Sequence, residues 1–348
     1  MKILSLINIL AISVLAATNP TLSRYEVSVP PDLPHDRMDV IAKRFEVIRK
    51  TAAGFEVLVP VDKAPEFLEI APAARLLERD TSAKWNKRGA LDGFHNFDSV
   101  QAELKLLNKA HPDMTSLETY GQSQEGRPLM LIRLHPPFQT LVEKPKIFIS
   151  SATHGDELIT VEVVLGILNS LIDAYGKDAR LTKIVDEHEI FFAPVINPDG
   201  YVRHQRYANG IDPNRNYPWP QDPNKKSNAC IQGVRDLFSK YQFKASIDYH
   251  SAAAMIMYPW AYTYSSVTGE DEIKFDRLTR YMAQANDYEY GQISKIIYVA
   301  EGSSADFYYW KHGTFALGIE ISQEGPASQI PNLVRENLES TYRFLENF

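Results

Sequence analysis

The sequence predicts an α/β protein with a mixed, mostly parallel central sheet covered by helices on both faces, preceded by a small ferredoxin-like α+β domain. Three observations carry this expectation. Short, nearly continuous apolar runs, such as Ile147-Phe148-Ile149, Glu189 to Val195 and Phe315 to Ile321, read as strands buried on both faces. Between them the apolar residues recur at helical spacing, as in Leu158, Val161, Leu165, Leu168 and Ile172. Residues 22 to 80 follow a different rule, with alternating apolar positions in short runs broken by turn residues.

In chain order, Lys2 precedes an apolar run from Ile3 to Leu15, broken only by Ser5, Asn8 and Ser13, and the small residues near Ala16 suit cleavage. Residues 1 to 17 therefore read as a secretory signal peptide, too short for a membrane span. In the next unit Tyr25, Val27 and Val29 alternate as a strand, and Met38, Ile41 and Phe45 recur as a helix. Phe45 to Arg49 is a second strand, and Phe55, Val57 and Val59 a third after the turn at Ala52-Ala53-Gly54. Asp62 to Ile70 is a short helix and Arg75 to Arg79 a fourth strand. The order β-α-β-β-α-β is the ferredoxin-like one. Residues 81 to 93 are polar and aperiodic, as a linker is, and carry the protease-accessible pair Lys87-Arg88.

The main domain is expected over residues 94 to 348. Asp98, with Gln101 three residues on, predicts a capping box for a helix with Val100, Leu104 and Leu107 as its stripe. Ser116 to Tyr120 and Leu129 to Leu134 read as strands joined by turn residues, followed by the strand at Ile147 and its helix. Further strands are predicted at Glu189 to Val195, Ala245 to Tyr249 and Phe315 to Ile321. Helices are predicted around Val234, Leu278 and Leu338.

Composition narrows the function. With 37 Lys and Arg against 44 Asp and Glu, the net charge is -7, and no long basic run offsets it, which argues against a nucleic-acid partner. The single cysteine, Cys230, excludes an intrachain disulfide. Together with the leader, this suits a secreted or periplasmic address.

The chemistry-bearing residues fall at strand ends. His154-x-x-Glu157 follows the strand at Ile147 and offers an imidazole and a carboxylate to one point, a pair that zinc accepts. His250, at the end of another strand, is the candidate third ligand. Between them, the loop Arg206-Tyr-Ala-Asn-Gly-Ile-Asp-Pro-Asn214-Arg215-Asn216 places two guanidinium groups and an amide together, as a carboxylate-binding loop requires.

Spread in order over residues 94 to 348, these features resemble the zinc metallocarboxypeptidases of the M14, or carboxypeptidase A-like, family. Asn197-Pro198-Asp199-Gly200 and Gly121-x-Ser123-x-Glu125-Gly126-Arg127 look like further family signatures. The resemblance implies a carboxypeptidase-like fold, one Zn2+ held by His154, Glu157 and His250, and hydrolysis of the C-terminal peptide bond by an activated water. It implies that Glu320, in Gly318-Ile319-Glu320-Ile321, is the catalytic carboxylate and that Arg206 polarises the carbonyl. Asn214 and Arg215 then bind the substrate's terminal carboxylate, and Tyr298 closes over it. The N-terminal unit is similar to the family's inhibitory propeptide, which makes a zymogen the expectation. The implied partner is a peptide or protein C-terminus, with the protein a monomer that binds neither nucleic acid nor membrane stably.

Two departures bear on substrate. Asp156 stands where many digestive members carry an arginine. By the same resemblance, Ala305 falls where the family's specificity pocket has its deciding residue and Ile293 also maps to that pocket, and neither is acidic. An apolar or aromatic C-terminal residue is therefore expected. The linker is shorter than the family's usual activation segment, which leaves open whether the N-terminal domain is removed. Alternatives at this point are a periplasmic carboxypeptidase acting on murein peptides and a catalytically dead peptide-binding module. A zinc-dependent deacylase of related fold suits the tyrosine–glutamate spacing less well.

Overall fold

The computed structural model describes residues 21–28, 36–51, 53–80, 93–138, 143–323 and 325–348. The expected signal peptide, Val29 and residues 81–92 of the expected linker lie outside them. The first unit runs β1 (Leu22–Ser28), α1 (Asp36–Ala42), β2 (Glu46–Thr51), β3 (Gly54–Pro60), α2 (Ala64–Ile70) and β4 (Arg75–Glu78). Its strands form a separate sheet in the order β2-β3-β1-β4, antiparallel throughout. Alternation sends Tyr25, Val27, Val57 and Val59 into one cluster with Met38, Ile41 and Phe67 from the helices.

The main domain continues with α3 (Phe97–Ala110), β5 (Thr115–Gln122), β6 (Pro128–Leu134), β7 (Lys146–Ser150), α4 (Leu158–Ala174) and α5 (Ala179–Glu187). Then come β8 (Glu189–Ala193), α6 (Pro198–Arg203), α7 (Ala229–Tyr241), β9 (Ala245–Ser251), β10 (Met255–Tyr258) and α8 (Glu270–Ala283). The chain ends with β11 (Glu289–Gln292), α9 (Ile293–Ile296), α10 (Ser304–His312), β12 (Phe315–Ile321) and α11 (Ile330–Leu345). Eight strands form one sheet in the order β11-β10-β12-β9-β7-β8-β6-β5. The centre, β12-β9-β7-β8, is parallel. Antiparallel pairings lie outside it, where β6 meets β8, β5 meets β6, and β10 meets β12.

The two-residue period sorts the central strands onto two cores. Ile147, Ile149, Ile190, Phe192, Leu317 and Ile319 pack with α3, α4, α5, α8 and α11. Phe148, Phe191 and Ala316 face the other way, onto α7 and α10. Both faces are thereby covered, which is why these strands read as unbroken apolar runs. Among the described residues no single helix is long and apolar enough to cross a membrane.

Local details correct the sequence reading. The cap of α3 is Asn96, whose Oδ1 accepts from the Ser99 N–H at 2.8 Å, and Asp98 lies inside the first turn. The helix starts earlier because Phe97 is buried and needs a helical position facing the core. Helices α5 and α10 and strands β10 and β11 also went unpredicted: the two strands have four residues each, too few to show a period, whereas α5 does carry Leu181, Ile184 and Val185 at helical spacing.

Candidate active site

Because β7, β9 and β12 are parallel neighbours, their carboxyl ends open on one edge, the usual place for a site in such a sheet. The loop after β7 carries His154 and Glu157. His250 sits near the end of β9, and register places Glu320 of β12 directly beside it. Gly155, between the two loop residues, lets this segment press against α6: a Cβ there would meet Gly200 C at 2.2 Å and Tyr201 N at 2.3 Å.

His154, Glu157 and His250 are all buried, and one ligand atom from each lies within 4.8 Å of the others. His154 Nδ1 is 2.7 Å from Glu157 Oε1, and His250 Nδ1 is 3.0 Å from Glu157 Oε2. The two Nδ1 atoms are 3.1 Å apart. Each outer nitrogen faces a carboxylate: His154 Nε2 lies 3.2 Å from Asp212 Oδ1, and His250 Nε2 lies 3.2 Å from Asp248 Oδ2. A carboxylate accepts only, so Asp212 and Asp248 can each hold a proton on Nε2, and with a cation at the shared point taking Glu157, the Nδ1 lone pairs would face that cation. Two lone pairs and a carboxylate converging in a buried space form the donor set of a catalytic zinc site, and these residues fit that ion.

The charges agree with this arrangement. Burial alone would raise the Glu157 carboxyl, but the imidazoles of His154 and His250 pull it well below the usual carboxylate range. Burial, and then the charge on Glu157, push the Glu320 carboxyl up. Its Oε2 is buried with no hydrogen-bond partner, so one oxygen of this carboxylate has no structural task.

Arg206 leaves α6 and folds under the ligands, with Nη1 3.3 Å from Glu157 Oε1 and Nη2 3.4 Å from Asp212 Oδ2. Asn214 and Arg215 lie in a single 3-10 turn, capped by Asp212 accepting from the Asn214 N–H at 2.8 Å. Asn214 Oδ1 accepts from the Ser304 N–H at 2.9 Å, and Arg215 Nη2 donates to Tyr298 Oη at 3.0 Å. Gly302 makes this loop contact possible: its φ is +76°, and a Cβ would meet the Arg215 carbonyl oxygen at 2.7 Å.

These groups surround a cavity of about 60 Å³. His154, His250, Glu320, Arg206, Asn214 and Arg215 form its polar side. Its apolar side includes Ala305, Ile293, Met257, Ala261, Ile297 and Ala300, with Tyr298 between the two. Every predicted site residue is thus at this cavity or, for Glu157, against its ligands. Sequence reasoning missed Asp212, Asp248, Met257 and Val47, a residue of β2 that also lines the cavity. Asp248 had a legible signal, since it stands two residues before His250 on one strand and so shares its face. Asp156 is not in the lining, and burial raises its carboxyl to about 6.

A family model described as zinc carboxypeptidase matches residues 100–340. Carboxypeptidase A2 of Mus musculus is 27% identical over 282 residues, which is 68% of this chain and 66% of that protein. Carboxypeptidase A2 of Rattus norvegicus is 25% identical over 336 residues, 85% of this chain and 76% of that one. A zinc carboxypeptidase of Saccharothrix mutabilis subsp. capreolus is 26% identical, covering 66% of this chain and 62% of that protein. The chain therefore spans just under two thirds of the mouse and Saccharothrix relatives and more of the rat one. In three dimensions, carboxypeptidase A from Helicoverpa armigera superposes with a TM-score of 0.74 at 20% identity, covering 93% of this chain and 96% of that one. Thrombin activatable fibrinolysis inhibitor superposes at 0.71 and 17% identity, covering 94% and 98%. At these identities the two structures speak to fold alone.

Proposed function

This chain belongs to the zinc carboxypeptidase family, and from that premise we propose that it is a secreted or periplasmic exopeptidase that removes apolar or aromatic residues from the C-termini of peptides. The carrying observation is the register of β12 on β9, which sets the partnerless oxygen of Glu320 beside the His154–Glu157–His250 cluster.

When bound at those three residues, zinc supplies Lewis-acid polarisation of a carbonyl and acidifies water. Glu320 accepts the proton of the attacking water and returns it to the leaving amine nitrogen. Arg206 donates N–H groups to the oxygen that gains charge, a role worth roughly 3 kcal/mol for one donor. Asn214 and Arg215 hold the substrate's terminal carboxylate, which restricts cleavage to the last peptide bond. Tyr298 covers the bound residue. The apolar side of the cavity takes its side chain, and that side carries no carboxylate among the described residues, so a basic side chain would be buried there without a partner.

The N-terminal unit fits the role of an inhibitory propeptide. Val47 enters the cavity lining, and its carbonyl accepts a hydrogen bond from Tyr298 Oη at 2.5 Å. The test is a panel of peptides differing only in the last residue, assayed after mild proteolysis within residues 81–93. Release of Phe or Leu ahead of Lys or Arg is expected. Release of basic residues first overturns the preference, and internal cleavage overturns the exopeptidase assignment.

A further inference from the structure

We infer that Asp248 is a positioning residue that ties the metal ligand His250 to the carboxylate-gripping Asn214, so that the ion site and the C-terminus site are built as one unit. The inference rests on the zinc carboxypeptidase reading and deepens it.

Asp248 lies inside β9, 2% exposed. Its Oδ1 accepts from Ser150 Oγ at 2.9 Å and Thr153 Oγ1 at 3.0 Å. Its Oδ2 accepts from His250 Nε2 at 3.2 Å and Ser304 Oγ at 2.9 Å. Ser150 is the register partner on β7, and Thr153 is the residue before His154. Ser304 opens α10, and its N–H donates to Asn214 Oδ1 at 2.9 Å. Asn214 Nδ2 in turn lies 3.2 Å from His250 Nε2, which completes a ring of four contacting residues; this last contact is no hydrogen bond once Nε2 donates to Asp248, so the tie to Asn214 runs through Ser304.

The chemistry of this ring is directional. Asn214 Nδ2 is an obligate donor and the Asp248 carboxylate an obligate acceptor, so the single proton on His250 Nε2 goes to Asp248. With that proton placed, Nδ1 is the nitrogen that would turn its lone pair to an ion held with Glu157 and His154. A buried carboxylate is costly, and an asparagine of the same shape could satisfy the three hydroxyls with less desolvation. Asparagine could not hold the imidazole reliably. With its NH2 turned to His250 it would favour the tautomer that places a proton on Nδ1, at the ligand point. The negative charge is therefore explained by the imidazole, and the Ser304 bond passes the same placement on to Asn214.

The experiment compares the zinc affinity of the full chain, by chelator competition, with KM for a small peptide bearing a free C-terminus. Asp248→Asn is expected to weaken zinc binding about 10–100-fold and to raise KM as well. Ser304→Ala is expected to raise KM about fivefold, the loss of one hydrogen bond, with zinc affinity within twofold of wild type. Ser150→Ala, which breaks an Asp248 bond that touches neither ligand, is expected to leave zinc affinity within twofold. The inference is overturned if Asp248→Asn binds zinc as wild type does, or if Ser150→Ala loses as much zinc affinity. If Asp248→Asn does not fold, Ser304→Ala decides: an unchanged KM overturns the coupling. A wild-type chain that takes up no zinc overturns the family-based site itself.

Discussion

The cavity has two walls of different construction. The wall made by β7, β9, β12 and the loop at Asn214 is polar, and its carboxylates are buried with several partners each: Glu157 with two imidazoles and Arg206, Asp248 with three hydroxyls and an imidazole. The other wall is apolar, and to Ala305, Ile293 and Met257 of the main domain the N-terminal sheet adds Val47. The N-terminal unit joins the main domain through bonds that include the Val47 carbonyl of β2 on Tyr298 and the Asp39 carboxylate of α1 on Tyr264 at 2.8 Å. Parting the first wall would leave buried charges unpaired, which costs about 3–5 kcal/mol for each broken pair. Parting the second separates an apolar contact and bonds that water can replace. The contact with the N-terminal unit is thus the one that can part without leaving a buried charge unpaired.

The largest expected effect breaks the polar wall. Glu320→Gln should cut peptide turnover about 10²–10⁴-fold while retaining zinc, because the proton acceptor is lost and the ligands are not. Equal turnover would favour a binding module without catalysis. Next comes the apolar wall. Cleavage within residues 81–93, followed by separation of the N-terminal fragment, should raise turnover about tenfold or more, the factor supplied by 1.4 kcal/mol of occluding contact. Unchanged turnover would show that Val47 does not obstruct substrate.

A third prediction sharpens the contrast from inside the pocket. Ala305→Asp should improve kcat/KM for a C-terminal Arg about 10–100-fold relative to Phe, the range of a charge-assisted bond. No shift in the ratio would remove Ala305 from the specificity pocket.

The smallest effect concerns the start of the main domain. His95 lies between Glu103, 2.8 Å from Nε2, and Glu162, 2.9 Å from Nδ1. The bonds to Glu103 and then Glu162 raise the imidazole to about 10. A group with a raised folded pKa stabilises fully below its unfolded value of 6.5 and loses that contribution as pH climbs towards 10. The Tm advantage of wild type over His95→Gln should therefore shrink between pH 6.5 and 10. A gap independent of pH would show that the imidazolium does not pin this segment.

Much of this was legible in the chain because its signals are local. Ile147 to Ile149 marks a doubly buried strand, and His154 and Glu157 follow it within one loop. The spacing of Leu158 to Ile172 marks the helix behind it. What stayed hidden depends on contacts between distant residues. Asp248 meets Ser150 across 98 positions, and Tyr298 meets Val47 across 251, so no window contains either pair. Asp212 was visible in Asp-Pro-Asn-Arg, but there it reads as a turn residue, and its place behind His154 comes from folding. The cap at Asn96 was hidden for a different reason. Asp98 with Gln101 matches the capping-box pattern, whereas Asn96 does not announce itself, and Phe97 is buried within the first turn.

The central claim is that His154, Glu157 and His250 hold one zinc ion beside Glu320. Zinc stoichiometry at equilibrium, measured on the wild-type chain and on His250→Ala after dialysis against a weak chelator, tests it most directly. The account predicts about one ion per wild-type chain and a loss of affinity in the variant large enough to leave it empty, since a catalytic site needs three protein ligands. Equal zinc in both proteins would place the ion elsewhere and contradict the site.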